Sequence, residues 1–197
     1  SRDDIAGPGA RFEQGCRDAN LRRGPVRSVA VCTPRFNAIA DGAGTKGADL
    51  AHGLAGLLRK VLRELDDEES VHVYIDKHGG RNTYAAMLQD ALEDGIVIAS
   101  VESSLRSTYR VAGLSREVSI TFQPRADGEH FCVALASMVS KYLRELFMGE
   151  FNRFWQTHLP DLAPTAGYPA DAPRYFAALE PVLARLEVPA DDVWRCR

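Results

Sequence analysis

Three carboxylates and one run of small residues and cations are the groups in this chain best suited to chemistry. Asp76 closes the apolar run Val71-His-Val-Tyr-Ile75. Asp127 and Glu129 come just ahead of Ala134-Leu-Ala-Ser137-Met-Val-Ser-Lys141-Tyr-Leu-Arg144-Glu145. At 3.6 residues per turn, Ala134, Ser137, Lys141 and Arg144 recur at intervals of three and four, so one helix face carries small residues and cations. Such a face suits a phosphate, and carboxylates near the helix start suit a divalent cation that bridges them to a nucleic-acid backbone. The same spacing also describes a packed amphipathic helix with a solvated charged edge.

Other groups extend this set. Asp76 falls at the carboxyl end of a strand, where ligands gather in open α/β sheets, and Gly79 and Gly80 permit a tight turn into the next helix. His78 is either a turn residue that hydrogen-bonds locally or a group that shuttles a proton or touches phosphate. Lys46, in the glycine-rich loop Asp41-Gly-Ala-Gly-Thr-Lys46-Gly, reads either as a phosphate contact at a helix start or as a surface charge. Glu102 joins the acids if its hairpin lies along the same sheet edge, and is otherwise an exposed strand glutamate. A nucleotide cradle at Asp76-Lys-His-Gly-Gly is disfavoured, because the glycine and lysine spacing of a phosphate loop is absent.

The elements that must hold these groups follow from periodicity. Pro8 to Ala19 reads as a short helix ending near Asn20 to Gly24, and Val26 to Cys32 alternates like a strand. Leu50, Leu54, Leu57, Leu58, Val61, Leu62 and Leu65 form the apolar stripe of a helix that runs into the acidic turn Asp66 to Glu69. Val71 to Ile75 is a buried strand, expected beside Val26 to Cys32. Next come a helix over Thr83 to Glu93 and strands near Ile96 to Glu102, Ser107 to Ala112 and Glu117 to Gln123. A long helix over Phe131 to His158 is expected to pack across the sheet, and a Pro-rich turn and a helix over Pro173 to Leu186 close the chain. The pattern predicts an α/β fold: a mixed sheet flanked by helices, with an added β-hairpin and C-terminal helices.

Composition narrows the function classes. With 197 residues, 45% hydrophobic and 26% charged, the chain suits one domain with a proper core. A net charge of −3 excludes a protein that coats nucleic acid by bulk charge, so any polynucleotide contact must come from local clusters of Lys and Arg. Cys16, Cys32, Cys132 and Cys196 are scattered, which fits reduced thiols and a cytoplasmic location rather than a disulfide framework or zinc site. No apolar run approaches the roughly 20 residues a membrane helix needs, so a membrane partner is not expected.

Several ordered pieces resemble the type 2 ribonucleases H. Ala134-x-Ala136-Ser137-x-x-x-Lys141-x-x-Arg144-Glu145 is similar to that family's alanine-serine-lysine-arginine-acid helix, with Glu for the usual Asp. Val73-Tyr-Ile-Asp76 resembles the strand bearing its second catalytic aspartate. Phe36-Asn37 followed by Lys46-Gly-Ala-Asp-Leu50 resembles its isoleucine-asparagine and lysine-alanine-threonine-leucine segment, and Gly167-Tyr168 its glycine-tyrosine-glycine-threonine loop. The family's opening aspartate-glutamate and glycine-arginine-glycine motif does not occur, and the comparison puts it, with the first strands, upstream of Ser1. Asp76 and Asp127 are also further apart than in the family, with room for an extra helix and a β-hairpin. Both departures imply a divergent branch.

The resemblance implies a ribonuclease H-like domain that cuts the RNA of an RNA/DNA hybrid or a related nucleic acid with Mg2+ or Mn2+. It casts Asp76 and Asp127 as catalytic metal ligands, and Lys46, Lys141, Arg144 and Tyr168 as substrate contacts; position alone adds Glu129, two residues on from the favoured Asp127, and Glu102 as further acids for the ion, and His78 beside Asp76 as a further substrate contact. Tyr168 would stack on a sugar near a 2′-hydroxyl. Roughly four carboxylates hold two ions about 4 Å apart in such a site. This chain offers about half of them, and the alternative is a non-catalytic module of the same fold that binds nucleic acid or a protein partner.

Overall fold

A computed structural model describes residues 2–21, 24, 26–43, 47–65 and 70–195. In chain order it contains α1 (Arg2–Asp18), α2 (Thr33–Ala43), α3 (Gly47–Glu64), β1 (Val71–Asp76), α4 (Ala85–Ala91), β2 (Ile96–Glu102), β3 (Ser107–Ala112) and β4 (Val118–Gln123). A short 3-10 turn (Ala126–Gly128), α5 (Phe131–His158), α6 (Ala172–Leu186) and a last 3-10 turn (Ala190–Asp192) follow. Apart from residues 26–32, the expected strands form close to their expected bounds, as do the last three helices, because β-branched runs and leucine stripes coincide with them.

The four strands form one mixed sheet in the order β1-β4-β3-β2. β1 pairs parallel with β4, bringing Asp76 opposite Gln123, while the β2–β3 and β3–β4 pairs are antiparallel. One face of the sheet is the core. Val118, Ile120, Phe122, Tyr109 and Val111 are buried there against Leu58 and Leu62 of α3 and Leu88 of α4. The Tyr84 ring lies flat on Phe122 at 3.7 Å, and its backbone N–H donates to the Tyr109 hydroxyl at 2.8 Å. The opposite face carries His72, Tyr74 and Asp76 of β1 and Arg110 of β3, all exposed.

Three expectations are corrected. Residues 26–32 form no strand; Val26 and Val29 are exposed, and the edge of β1 pairs with β4 instead. An extended run without a hydrogen-bonding neighbour gains nothing from alternation. The stretch 33–43, read partly as a loop, is the helix α2, whose Asn37 side chain donates to the carbonyls of Asp191 (2.9 Å) and Trp194 (3.0 Å).

The third correction concerns α5. It does not pack across the sheet: its start adjoins β1 and the 3-10 turn, while Phe131, Met138, Tyr142, Leu146 and Phe147 are exposed. Its far end instead builds a second cluster, in which Trp155 packs with Leu162, Tyr175, Leu179, Val182 and Leu183. Apolar residues recur right around α5, so the sequence pattern did not single out the face that would be covered.

Candidate functional site at the carboxyl end of the sheet

Parallel pairing puts the carboxyl ends of β1 and β4 side by side, and this gathers groups 50 residues apart in sequence. The Asp76 side chain accepts a hydrogen bond from the Ala126 backbone N–H at 3.1 Å. That bond pins the 3-10 turn carrying Asp127 against the end of β1. Beside it, Gln123 donates through Nε2 to Glu129 at 2.8 Å. Asp76 and Glu129 thus flank the Gln123 side chain, and both are exposed, as is Asp127 in the same turn.

Two residues that sequence reasoning passed over complete the cluster. Gln123 is 4% exposed, and its Oε1 is buried without a hydrogen-bond partner; so is Nε2 of His130, whose ring stacks on Tyr74 at 3.9 Å. Buried polar atoms are seldom left unpaired, but His78 Nδ1, Trp155 Nε1 and the Tyr175 hydroxyl share this state elsewhere in the fold, so it is not particular to this cluster. His130 had one signal in the sequence, its position between the acidic turn and the start of α5. Gln123 had none, because its importance comes from its register with Asp76.

The remaining expected residues are spread more widely. Lys46 lies outside the described residues. His78 turns toward the core, edge-on to Tyr84 and Phe122, with Nδ1 buried and unpartnered. Burial, reinforced by the Arg81 charge and opposed by Asp76, holds its pKa below the usual histidine value, so it is a neutral group at pH 7. Glu102 ends β2, three strand spacings from β1, or roughly 14 Å at 4.8 Å each. Its carboxylate takes the Tyr109 hydroxyl at 2.5 Å, and burial together with this bond pushes the Tyr109 pKa upward. Glu102 is therefore not brought to the Asp76 pair.

Between these two acidic groups lies a cation already in place. The Lys77 ammonium donates to Ser103 O (2.5 Å), Asn82 Oδ1 (3.0 Å) and Ser107 Oγ (3.1 Å), which matches its three protons to three oxygens.

Lys141 and Arg144 are not beside the carboxylates. Arg144 lies thirteen residues beyond the start of α5, or about 20 Å along the helix. Its guanidinium donates to the Ala166 carbonyl and stacks over the Tyr168 ring at 4.6 Å, so both residues lock the loop before α6. The same loop is held by Asn152, whose side chain donates to Thr165 O at 2.8 Å and accepts from Thr165 N–H at 2.9 Å. Gly167 follows at φ +71°, a left-handed conformation that glycine adopts without strain. Lys141 is exposed on the middle of α5.

Among the described residues no cluster of three or more His, Cys, Asp or Glu side chains is arranged to hold a metal ion. Magnesium is usually held by one or two carboxylates, with waters and substrate phosphates completing its shell. Among the described residues no helix is long and apolar enough to cross a membrane. Comparison with protein families, curated proteins and solved structures finds no match to this chain.

Proposed function

We propose that this protein is a metal-dependent phosphodiester hydrolase of ribonuclease H type, acting on the RNA of an RNA/DNA hybrid or a related nucleic acid. The single observation that carries the reading is the convergence of Asp76 with the Asp127–Glu129 turn at the ends of two parallel strands. Sequence order alone separates these groups by a helix and a hairpin. In this reading Asp76 and Glu129 hold a divalent ion, which when bound supplies Lewis-acid polarisation and an activated water. Gln123 orients Glu129.

The test is cleavage of an RNA/DNA hybrid by the full-length protein with Mg2+ or Mn2+. Asp76→Asn and Glu129→Gln are each expected to lower the rate by at least about a hundredfold, the scale of losing one charge-stabilising group at a reacting centre. Absence of metal-dependent cleavage of any RNA-containing duplex by the unsubstituted protein overturns the reading.

A second reading, a non-catalytic module that binds a protein partner, is favoured by one feature. Phe131, Met138, Tyr142 and Leu146 share one face of α5 at intervals of seven, four and four, and are 49–70% exposed. Exposed apolar residues gathered on one face are the pattern that interaction sites show.

A further inference from the structure

We propose that the outer face of α3, together with Arg81 across from it, is the track that grips the sugar–phosphate backbone of the nucleic acid. The inference rests on the nucleic-acid reading above and assigns the binding surface that Lys141 and Arg144 do not supply. On α3, His52, Arg59 and Arg63 fall within a narrow arc, with Lys60 on its flank, while Ala55, Leu58 and Leu62 turn inward to the core. Between His52 and Arg63 the helix carries three fixed cations and no carboxylate, in a chain whose net charge is −3. Among the described residues no acid lies within ion-pair distance of Arg59, Lys60 or Arg63; Glu64, next along, pairs with Arg27 at 2.9 Å.

The cations line a hollow that starts at the candidate site's end of the sheet. A cavity of about 740 Å³ lies between α3, the start of α4 and the end of β2, with Arg59 on one wall and Arg81 and Thr83 on the other. Arg81 belongs to the turn that follows Asp76, and its carbonyl accepts the Tyr84 hydroxyl, which itself accepts the His78 N–H. A second hollow continues along Arg59, Lys60 and Arg63. The direction is fixed by Leu62, whose carbonyl accepts Arg116 from the β3–β4 turn at the opposite end of the sheet. The track therefore starts at the same end of the sheet as the carboxylates, on the α3 side rather than the face that carries Asp76, and runs down the length of α3.

Dimensions and chemistry favour nucleic acid over an acidic peptide. His52 to Arg63 covers eleven residue steps, about 16 Å of helix. One strand presents a phosphate about every 3.4 Å, so this length meets about five of them. Apart from Met87, the apolar residues lining the first hollow are alanines (Ala51, Ala55, Ala85 and Ala86), and the second is lined by Gly56 and charged side chains, so neither offers a seat built from large apolar side chains for a peptide. Asp90 and Glu102 also line the first hollow, and Glu64 lines the second; Glu102 is already engaged by Tyr109 and Glu64 by Arg27.

The experiment is equilibrium binding of a labelled RNA/DNA hybrid to the full-length protein across a salt series. The Arg59→Gln, Lys60→Gln, Arg63→Gln triple variant is expected to flatten the slope of log affinity against log salt by up to about three, at about 0.9 for each phosphate no longer neutralised. Arg59→Lys with Arg63→Lys keeps the charges and is expected to keep the slope, which separates removal of charge from a disturbed helix. An unchanged slope in the triple variant, or displacement of the hybrid by polyglutamate as readily as by unlabelled hybrid, overturns the proposal. Hybrid binding that depends on α3 without cleavage would fail the hydrolase reading alone. Cleavage that depends on Asp76 with a slope indifferent to α3 would fail the track alone.

Discussion

The Asp76 carboxylate and the Ala126 backbone N–H are joined at 3.1 Å, and this one bond ties the end of β1 to the turn that leads into α5. It gives Asp76 a positioning task as well as a charge. In Asp76→Asn the amide oxygen still accepts the Ala126 proton, so stability to chemical denaturation should change by less than about 1 kcal/mol. Loss of cleavage without loss of stability would assign the effect to charge; a variant that unfolds well before the parent would assign it to the turn.

Lys77→Met should cost about 2 kcal/mol. The thioether fills the space of the stem but leaves Ser103 O, Ser107 Oγ and Asn82 Oδ1 short of a donor, and bonds to a charged group contribute about 1.5–3 kcal/mol each before exposure is discounted. Urea unfolding measures this, and a midpoint equal to the parent's would show that water replaces the ammonium freely.

The fold was legible wherever local chemistry decides structure. The β2–β3–β4 strands lie where β-branched alternation places them, and α3 follows its leucine stripe. What was not legible depends on partners distant in sequence. Residues 26–32 have the composition of a strand but no neighbour to pair with, and α2 is fastened by Asn37 to a turn more than 150 residues later. At the candidate site, Asp76, Asp127 and Glu129 were readable as acids at element ends. Gln123 was not, because register defines it, and His130 showed only its position before α5, not its stacking on Tyr74. Arg144 and Tyr168 were visible as a cation and an aromatic, but their mutual stacking is a tertiary fact.

Gly95→Ala should destabilise the hairpin by about 1–3 kcal/mol through overpacking. An added Cβ would meet Val111 Cγ1 at 2.6 Å, with Ala112 O and Leu114 Cδ2 both at 3.2 Å, in the bend just before a strand already fixed by its pairing to β3. A thermal midpoint unchanged from the parent would mean that β2 shifts to make room.

Asn152→Ala removes both bonds that hold Thr165 to α5, leaving a partly buried N–H and C=O unpaired. The expected cost is about 2 kcal/mol, with hydrogen exchange quickening first in the loop around Ala166 and Gly167. Uniform exchange across the chain would argue against a local role.

Asp171 provides a pH test. Its hydrogen bond to Arg174, followed by one to Thr165, lowers its pKa to about 2. A carboxyl held below its unfolded value of about 3.9 contributes stability that is complete above that value and lost as pH falls through about 2. Between about pH 4 and pH 2 the parent should therefore lose stability faster than Asp171→Asn, which has no such proton to take up. Parallel acid-unfolding curves would show that the exposed pair is screened into irrelevance.

The exposed middle of α5 also sets a rule for how this chain tolerates insertions. The helix is held at one end by the sheet and at the other by the cluster around Trp155, so its two ends must keep a rotational phase. Adding seven residues between Tyr142 and Phe147 would lengthen it by about 10 Å and return the far half to within about 20° of its original facing. Adding three or five would swing Trp155 away from α6. A heptad keeps the facing, but its added length would still part Asn37 of α2 from the Asp191–Trp194 turn, so even an in-phase insertion should loosen the tie between the two ends of the chain.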